Sequence, residues 1–287
     1  MTAENAAATR LVVQAPDIAT PALKALAKLA GAERIDALSR GVDQAFALTP
    51  AGNTGGVAAY CAQAALDCAF VPPGQRLDRV RLLAMDMDST LISIECVDEI
   101  ADMMGIKQEV AAITASAMRG EIDFRQSLTR RVALLRGLDI AALQRVYDER
   151  LELSPGAERL LAGMRAVGAE SLLVSGGFTF FTERLKARLR LDHTCANTLE
   201  IADGRLTGRL IGPIVDAGAK AACFGRLRAK LATNGGLAVA IGDGANDLPM
   251  LDAADISVAY HAKPIVRARA TYAIDYCGLD AVLNVFV

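Results

Sequence analysis

Residues 80–90 read Val80-Arg81-Leu82-Leu83-Ala84-Met85-Asp86-Met87-Asp88-Ser89-Thr90. The first six form a largely apolar run without alternation, the pattern of a strand buried on both faces of a parallel sheet. Two carboxylates follow, two residues apart. In open α/β sheets ligands bind beyond the carboxyl ends of the strands. Asp86 and Asp88 would be costly to hold ionised side by side there without a cation. An isolated Asp-x-Asp reads more readily as a solvated loop or a helix N-cap, so its meaning depends on what the rest of the chain supplies.

Downstream, Ser171–Val174 and Leu237–Ile241 are similar short apolar runs. Each follows a helical stretch, residues 156–167 and 220–231 respectively. Strands alternating with helices predict βαβ units and a doubly wound, parallel α/β sheet. Gly242-Asp243-Gly244-Ala245-Asn246-Asp247 closes the third run as Asp86-Met87-Asp88 closes the first. Two further carboxylates, with glycines that let backbone approach a ligand, make a hard, oxygen-rich site suited to Mg²⁺. Ser175-Gly176-Gly177 ends the second run, where a hydroxyl and free N–H groups can hold phosphate oxygens. Lys220 follows Asp216-Ala217-Gly218-Ala219, between the second and third strand ends. Residues 95–150 are helical in pattern and interrupt the alternation, which predicts a cap inserted after the first strand, over about residues 93–153. Asp203-Gly204, between Thr198–Ile201 and Arg205-Leu206, predicts a hairpin within residues 194–212.

Upstream, residues 1–9 are small and polar, and a disordered start is expected. Strands at residues 10–14, 35–38, 42–48 and 69–71, with helices at 21–30 and 55–68, predict a small α+β unit of βαββαβ order. Pro72-Pro73-Gly74 marks a linker. The expected domains are therefore residues 1–74 and residues 75–287.

Composition removes several function classes. The chain has 287 residues, a length that suits about two domains. Only two histidines occur, His193 and His261, against a His-rich zinc or copper centre and against Ser-His or Cys-His hydrolases. Both read as surface or cap residues. A formal net charge of −2 gives no electrostatic reason to expect nucleic acid or an anionic membrane as partner. The six cysteines lack Cys-x-x-Cys spacing and read as reduced thiols; Cys96 reads as packed near the pocket and not as a nucleophile. No leader pattern or membrane-length apolar run is read, and a soluble cytoplasmic protein is expected.

The four pieces Asp86-Met87-Asp88-Ser89-Thr90, Ser175-Gly176-Gly177-Phe178, Lys220 and Gly242–Leu251, in this order, resemble the haloacid dehalogenase superfamily of phosphohydrolases, and within it the phosphoserine phosphatase family. Glu95 and the cap segment Phe124–Val132 are similar to that family too, and the resemblance covers about residues 78–287. It implies a HAD-like core with a helical cap. It further implies hydrolysis of O-phospho-L-serine to L-serine and phosphate, the last step of serine biosynthesis. Asp86 is then the nucleophile that forms an aspartyl-phosphate. Asp88 is the general acid for the leaving oxygen and afterwards the base for water. Mg²⁺ is held by Asp86, the backbone carbonyl of Asp88 and Asp243, with Asp247 ordering its shell. Lys220, Ser175 and the Gly176 N–H neutralise the phosphoryl oxygens.

For specificity the resemblance implies Glu95 for the substrate ammonium and Arg131 for its carboxylate, through a bidentate fork. Arg125 and Arg130 are rivals for that role. Met118 and Phe124 supply an apolar wall, and Asn246 contacts substrate or phosphate. Another small phosphomonoester, or transfer of the phosphoryl group to an alcohol, is the alternative activity. The N-terminal unit is similar to ACT-type regulatory domains in element order only. Ala15-Pro16-Asp17-Ile18-Ala19 fills the loop where a ligand-binding ACT domain carries glycine. Amino-acid sensing, homodimerisation and simple support of the catalytic part are its alternative roles.

Overall fold

The computed structural model describes residues 8–41 and 43–287, in which eleven named strands form two sheets. The polar start over residues 1–7, and Val42 at the head of one expected strand, lie outside the described residues. β1 (Arg10–Ala15), α1 (Thr20–Ala30), β2 (Arg34–Leu38), β3 (Gln44–Thr49), α2 (Val57–Gln63) and β4 (Asp67–Val71) follow the expected βαββαβ order. Their sheet is antiparallel, ordered β2-β3-β1-β4, as in split βαβ folds. Leu11 and Val13 of β1 pack with Leu23 and Leu26 of α1 and with Val57 and Cys61 of α2. Val12, on the opposite face, joins the core of the second sheet with Ala69 and Val71. That is why Leu11, Val12 and Val13 are apolar in succession although β1 lies in an antiparallel sheet. The helix expected over 55–68 is shorter: the chain leaves helix after Gln63, turns at Ala65 (φ 52°), and Cys68 falls inside β4.

The second sheet begins with β5 (Val80–Asp86). The cap follows, as α3 (Cys96–Met104), α4 (Lys107–Met118), α5 (Phe124–Leu134) and α6 (Ile140–Glu149). Then come α7 (Ala157–Ala166), β6 (Glu170–Phe178), α8 (Thr179–Leu189), β7 (His193–Ala202), β8 (Arg205–Ile211) and α9 (Ala217–Leu231). The chain ends through β9 (Leu237–Gly242), α10 (Leu248–Asp252), β10 (Ile256–Tyr260), α11 (Pro264–Arg267) and β11 (Tyr272–Ile274). The strand order is β11-β10-β9-β5-β6-β7-β8, parallel except for the β7–β8 hairpin. Alternate residues of β5 serve two cores: Leu83 and Met85 face one, Leu82 and Ala84 the other. β9 divides in the same way, with Val239 and Ile241 against Ala238 and Ala240.

The site is positioned by strand order. From β5 the chain builds outward through β6 to β8, then returns to β5's other side and builds through β9 to β11. β5 therefore stands at the point where the direction of winding reverses, and a crevice opens beyond its carboxyl end. The cap leaves and re-enters there through adjacent segments: Ser93 N donates to Glu152 O at 3.0 Å and Ser154 N to Leu91 O at 3.0 Å. The far side of the cap is pinned to the hairpin, with Gly137 N donating to Leu206 O and Leu206 N to Leu138 O, both at 2.8 Å.

Polar groups fix the N-terminal sheet to the core. Asp67 accepts from Asp275 N, Tyr276 N and Cys277 N at 2.7, 3.1 and 3.0 Å. Burial raises the Asp67 pKa, an effect that these three donors oppose. One expectation fails: Cys195 of β7 and Cys223 of α9 form a disulfide. The 28-residue separation conceals a proximity that arises only when α9 packs on the sheet. Cys61, Cys68, Cys96 and Cys277 are free thiols. Among the described residues no helix is long and apolar enough to cross a membrane.

Candidate active site

Asp86 ends β5, buried, with Oδ1 accepting from Met87 N at 2.7 Å. Lys220 sits in the first turn of α9, 1% exposed, because that turn lies against the strand ends. Its Nζ is 2.7 Å from Asp86 Oδ1 and 2.8 Å from Asp247 Oδ1. Asp247 packs so closely on Gly242 that a Cβ at residue 242 would stand 2.7 Å from Asp247 Cβ, so only glycine fits. Asp247 Oδ2 also accepts from Gly244 N at 3.1 Å. One carboxylate oxygen each from Asp86, Asp243 and Asp247 lies within 4.8 Å of the others.

The electrostatics follow from burial. Desolvation raises the Asp86 pKa well above the usual carboxylate value, with Asp247 and Asp88 adding and Lys220 opposing. Asp243 is pushed up to about 6, by burial first and then by Asp247 and Glu95. Asp88 is pushed up to about 7 by burial and by Glu95, although Cys96 N–H, 3.0 Å from its Oδ1, pulls the other way. Burial works against the Lys220 ammonium, but Asp86 and Asp247 outweigh it and hold its pKa above the ordinary lysine value. One lysine thus faces more carboxylate than it can neutralise. The donors are all oxygens, the set a hard divalent cation takes.

Around this centre stand the other strand ends. Ser175, fully buried, accepts from Gly177 N at 2.8 Å. This turn is the end of β6 itself, so the Gly177 N–H is already engaged by the serine. A Cβ at Gly177 would stand 3.0 Å from Asp88 Oδ2. Two residues escaped the sequence reading. Thr90 Oγ1 donates to Asp243 Oδ1 at 3.2 Å. Asn197, 2% exposed on β7, donates to Gly176 O and accepts from Val215 N, both at 2.8 Å. It braces the turn at residues 175–177 against the approach to Lys220. Thr90 closes the Asp86–Thr90 motif but was given no role of its own there, and Asn197 belongs to no spacing pattern.

A family model for haloacid dehalogenase-like hydrolases matches residues 83–252, the span that holds every group just described. The chain belongs to the haloacid dehalogenase-like hydrolases. A phosphoserine phosphatase from Polaromonas sp. is 52% identical over 217 residues, covering 74% of this chain and 92% of that protein. A haloacid dehalogenase family hydrolase from Salmonella enterica serovar Typhi has TM-score 0.87 at 35% identity, covering 97% of this chain and 98% of that one. A probable phosphoserine phosphatase from Vibrio cholerae has TM-score 0.84 at 34% identity, over 98% and 87%. Residues 11–55 also match a domain of unknown function.

This haloacid dehalogenase-like hydrolase brings most of the cap residues named from sequence toward the same crevice. Ser89, turned by a φ of 54°, donates to Glu95 Oε1 at 2.8 Å. Phe124 lies over Gly176, where a Cβ would come 3.0 Å from the ring. Arg131 is half-buried, and its Nε is buried without a hydrogen-bond partner. Burial lowers its pKa, while Asp98, Glu95 and Asp88 oppose that shift. Arg130 is exposed, and Arg125 is exposed and paired with Asp216. Met118, at the end of α4, is 76% exposed. Asn246 is exposed and donates to Asp247 Oδ1 at 3.3 Å. His193 pairs with Glu170 and His261 with the Cys277 carbonyl. Burial, and then Asp88, push the Cys96 thiol up, so it stays protonated.

Proposed function

We propose that this enzyme hydrolyses O-phospho-L-serine to L-serine and phosphate. The observation that carries the proposal is Arg131: a guanidinium whose buried Nε lacks a partner, on the same cap that sets Glu95 beside Asp88. A cationic fork and a carboxylate above a phosphoryl site match a substrate bearing a carboxylate and an ammonium beyond its phosphate.

Asp86 attacks phosphorus as its carboxylate. The P–O bond to the serine oxygen breaks, and that oxygen leaves with the proton of Asp88. Environment supports the division of labour, since Asp88 is held near neutrality by burial and Glu95. Water then attacks the aspartyl-phosphate, giving its proton to the Asp88 carboxylate, and phosphate leaves as Asp86 is restored. Lys220 and Ser175 stabilise charge on the phosphoryl oxygens, with the Gly176 N–H assigned the same role. Asp86, the Asp88 carbonyl and Asp243 would hold Mg²⁺, with Asp247 ordering its waters. The ion supplies charge neutralisation and orientation of the phosphoryl group. Phe124 excludes water beneath the closed cap. The same reading places the enzyme in cytoplasmic serine biosynthesis. The N-terminal unit is read as a support, because Asp67 and Val12 tie it to the core.

The test is phosphate release by the purified protein with Mg²⁺ from a panel of phosphomonoesters. A kcat/KM for phosphoserine well above the others is expected. No preference for phosphoserine overturns the reading in favour of another small phosphomonoester.

A further inference from the structure

α5 opens on a capping box: Gln126 N donates to Asp123 Oδ1 at 2.8 Å, and Asp123 N donates to Gln126 Oε1 at 3.1 Å. This makes the first turn rigid. Its first two residues, Phe124 and Arg125, both reach from the cap to the core. Phe124 covers Gly176. Arg125 Nε and Nη2 lie 2.7 and 2.6 Å from Asp216 Oδ2. The other oxygen of Asp216 caps α9, accepting from Ala219 N at 2.9 Å, and the Asp216 carbonyl accepts from Lys220 N at 2.8 Å. One residue thus joins the helix that carries Arg131 to the first turn of the helix that carries Lys220. Phe124 and Arg131, seven apart, share a face of α5, so seating one end of the helix aims the other.

We propose that the Arg125–Asp216 ion pair is a positioning contact for the reaction, seating α5 over the strand ends so that Arg131 reaches the substrate carboxylate while Lys220 holds the phosphoryl group. The proposal rests on the phosphoserine reading. Neither residue touches substrate; both act through their helices. The Arg125 side chain is 61% exposed, so the pair adds little to global stability, and its effect falls on substrate binding.

The test compares wild type, Arg125→Gln, Asp216→Asn, the double variant and Arg130→Gln as a neighbouring control. Asparagine keeps an N-cap acceptor oxygen at residue 216 and replaces the oxygen that faces Arg125 by an uncharged NH2 donor. Each single variant is expected to raise KM for phosphoserine about two- to fivefold with kcat nearly unchanged. The double variant should be no worse than either single one, and Arg130→Gln should match wild type. In parallel, hydrogen exchange of α5 amides should quicken in Arg125→Gln while α8 is unaffected. Unchanged KM in both single variants, or independent effects in the double variant, overturns the proposal. If wild type does not turn over phosphoserine, the functional reading fails separately. The ion pair is then judged by exchange alone, and unaltered α5 protection overturns it.

Discussion

Lys220 Nζ and Asp86 Oδ1 stand 2.7 Å apart, and the same oxygen accepts from Met87 N. Both donors take Oδ1, so in the proposed mechanism Oδ2 is the oxygen offered to phosphorus or to the metal. The lysine is shared with Asp247 at 2.8 Å, so it serves a buried charge balance as well as the reaction.

Replacing Lys220 by methionine leaves Asp86 and Asp247 buried without a cation. A loss of about 3–5 kcal/mol of stability in metal-free protein is expected, read by urea unfolding. Added Mg²⁺ should recover part of it, and turnover should fall by at least ~10²-fold even when the protein is folded.

Chelation should abolish phosphate release, and Mg²⁺ should restore it. Asp243→Asn should abolish the rise in Tm that Mg²⁺ produces in wild type. The metal-free protein should also show a pH dependence whose sign is fixed. The folded-state pKa of Asp243 is raised, to about 6. Its contribution is therefore fully present below the unfolded carboxylate pKa and is lost as pH rises through about 6. Tm in chelator should fall across that window, and Asp243→Asn should flatten the fall.

Arg131→Met removes a half-buried arginine whose buried Nε has no hydrogen-bond partner. KM for phosphoserine should rise on the order of 100-fold, the loss of a charged bidentate contact. KM for p-nitrophenyl phosphate, which lacks a carboxylate, should stay within about twofold by the same argument. Tm should be unchanged or higher, since a desolvation cost disappears with the charge.

Asn197→Ala breaks both 2.8 Å bonds that brace Gly176 against Val215. A stability loss of about 2–3 kcal/mol is expected, together with a kcat reduced by about tenfold or more as the turn proposed to hold phosphate loosens. Unfolding curves and steady-state kinetics on the same preparation separate the two.

Asp67→Ala leaves three backbone N–H groups at Asp275, Tyr276 and Cys277 without their acceptor. A cost of about 2–4 kcal/mol follows. Hydrogen exchange should quicken first at residues 275–277, before the sheet of β5 and its neighbours is affected.

The chain order of short apolar runs, each closed by aspartate, serine or glycine, was enough to read the sheet class, the helical insertion after the first strand and the aspartates that gather at the strand ends. Local chemistry carries that information: a strand buried on both faces is apolar at every position, and polar residues at its end have a crevice to occupy. Among three arginines of α5 residue type alone makes no choice, and only the resemblance favours Arg131. Packing separates the three side chains: Arg131 is half-buried with its Nε covered, Arg130 is exposed and Arg125 pairs with Asp216. Only the tertiary structure could decide Asn197, Thr90, the exposure of Met118 and the Cys195–Cys223 disulfide, because each depends on which distant elements meet. Hydrophobic periodicity records whether a residue is buried. It holds no record of the partner across a sheet, since that contact is made only when the elements pack.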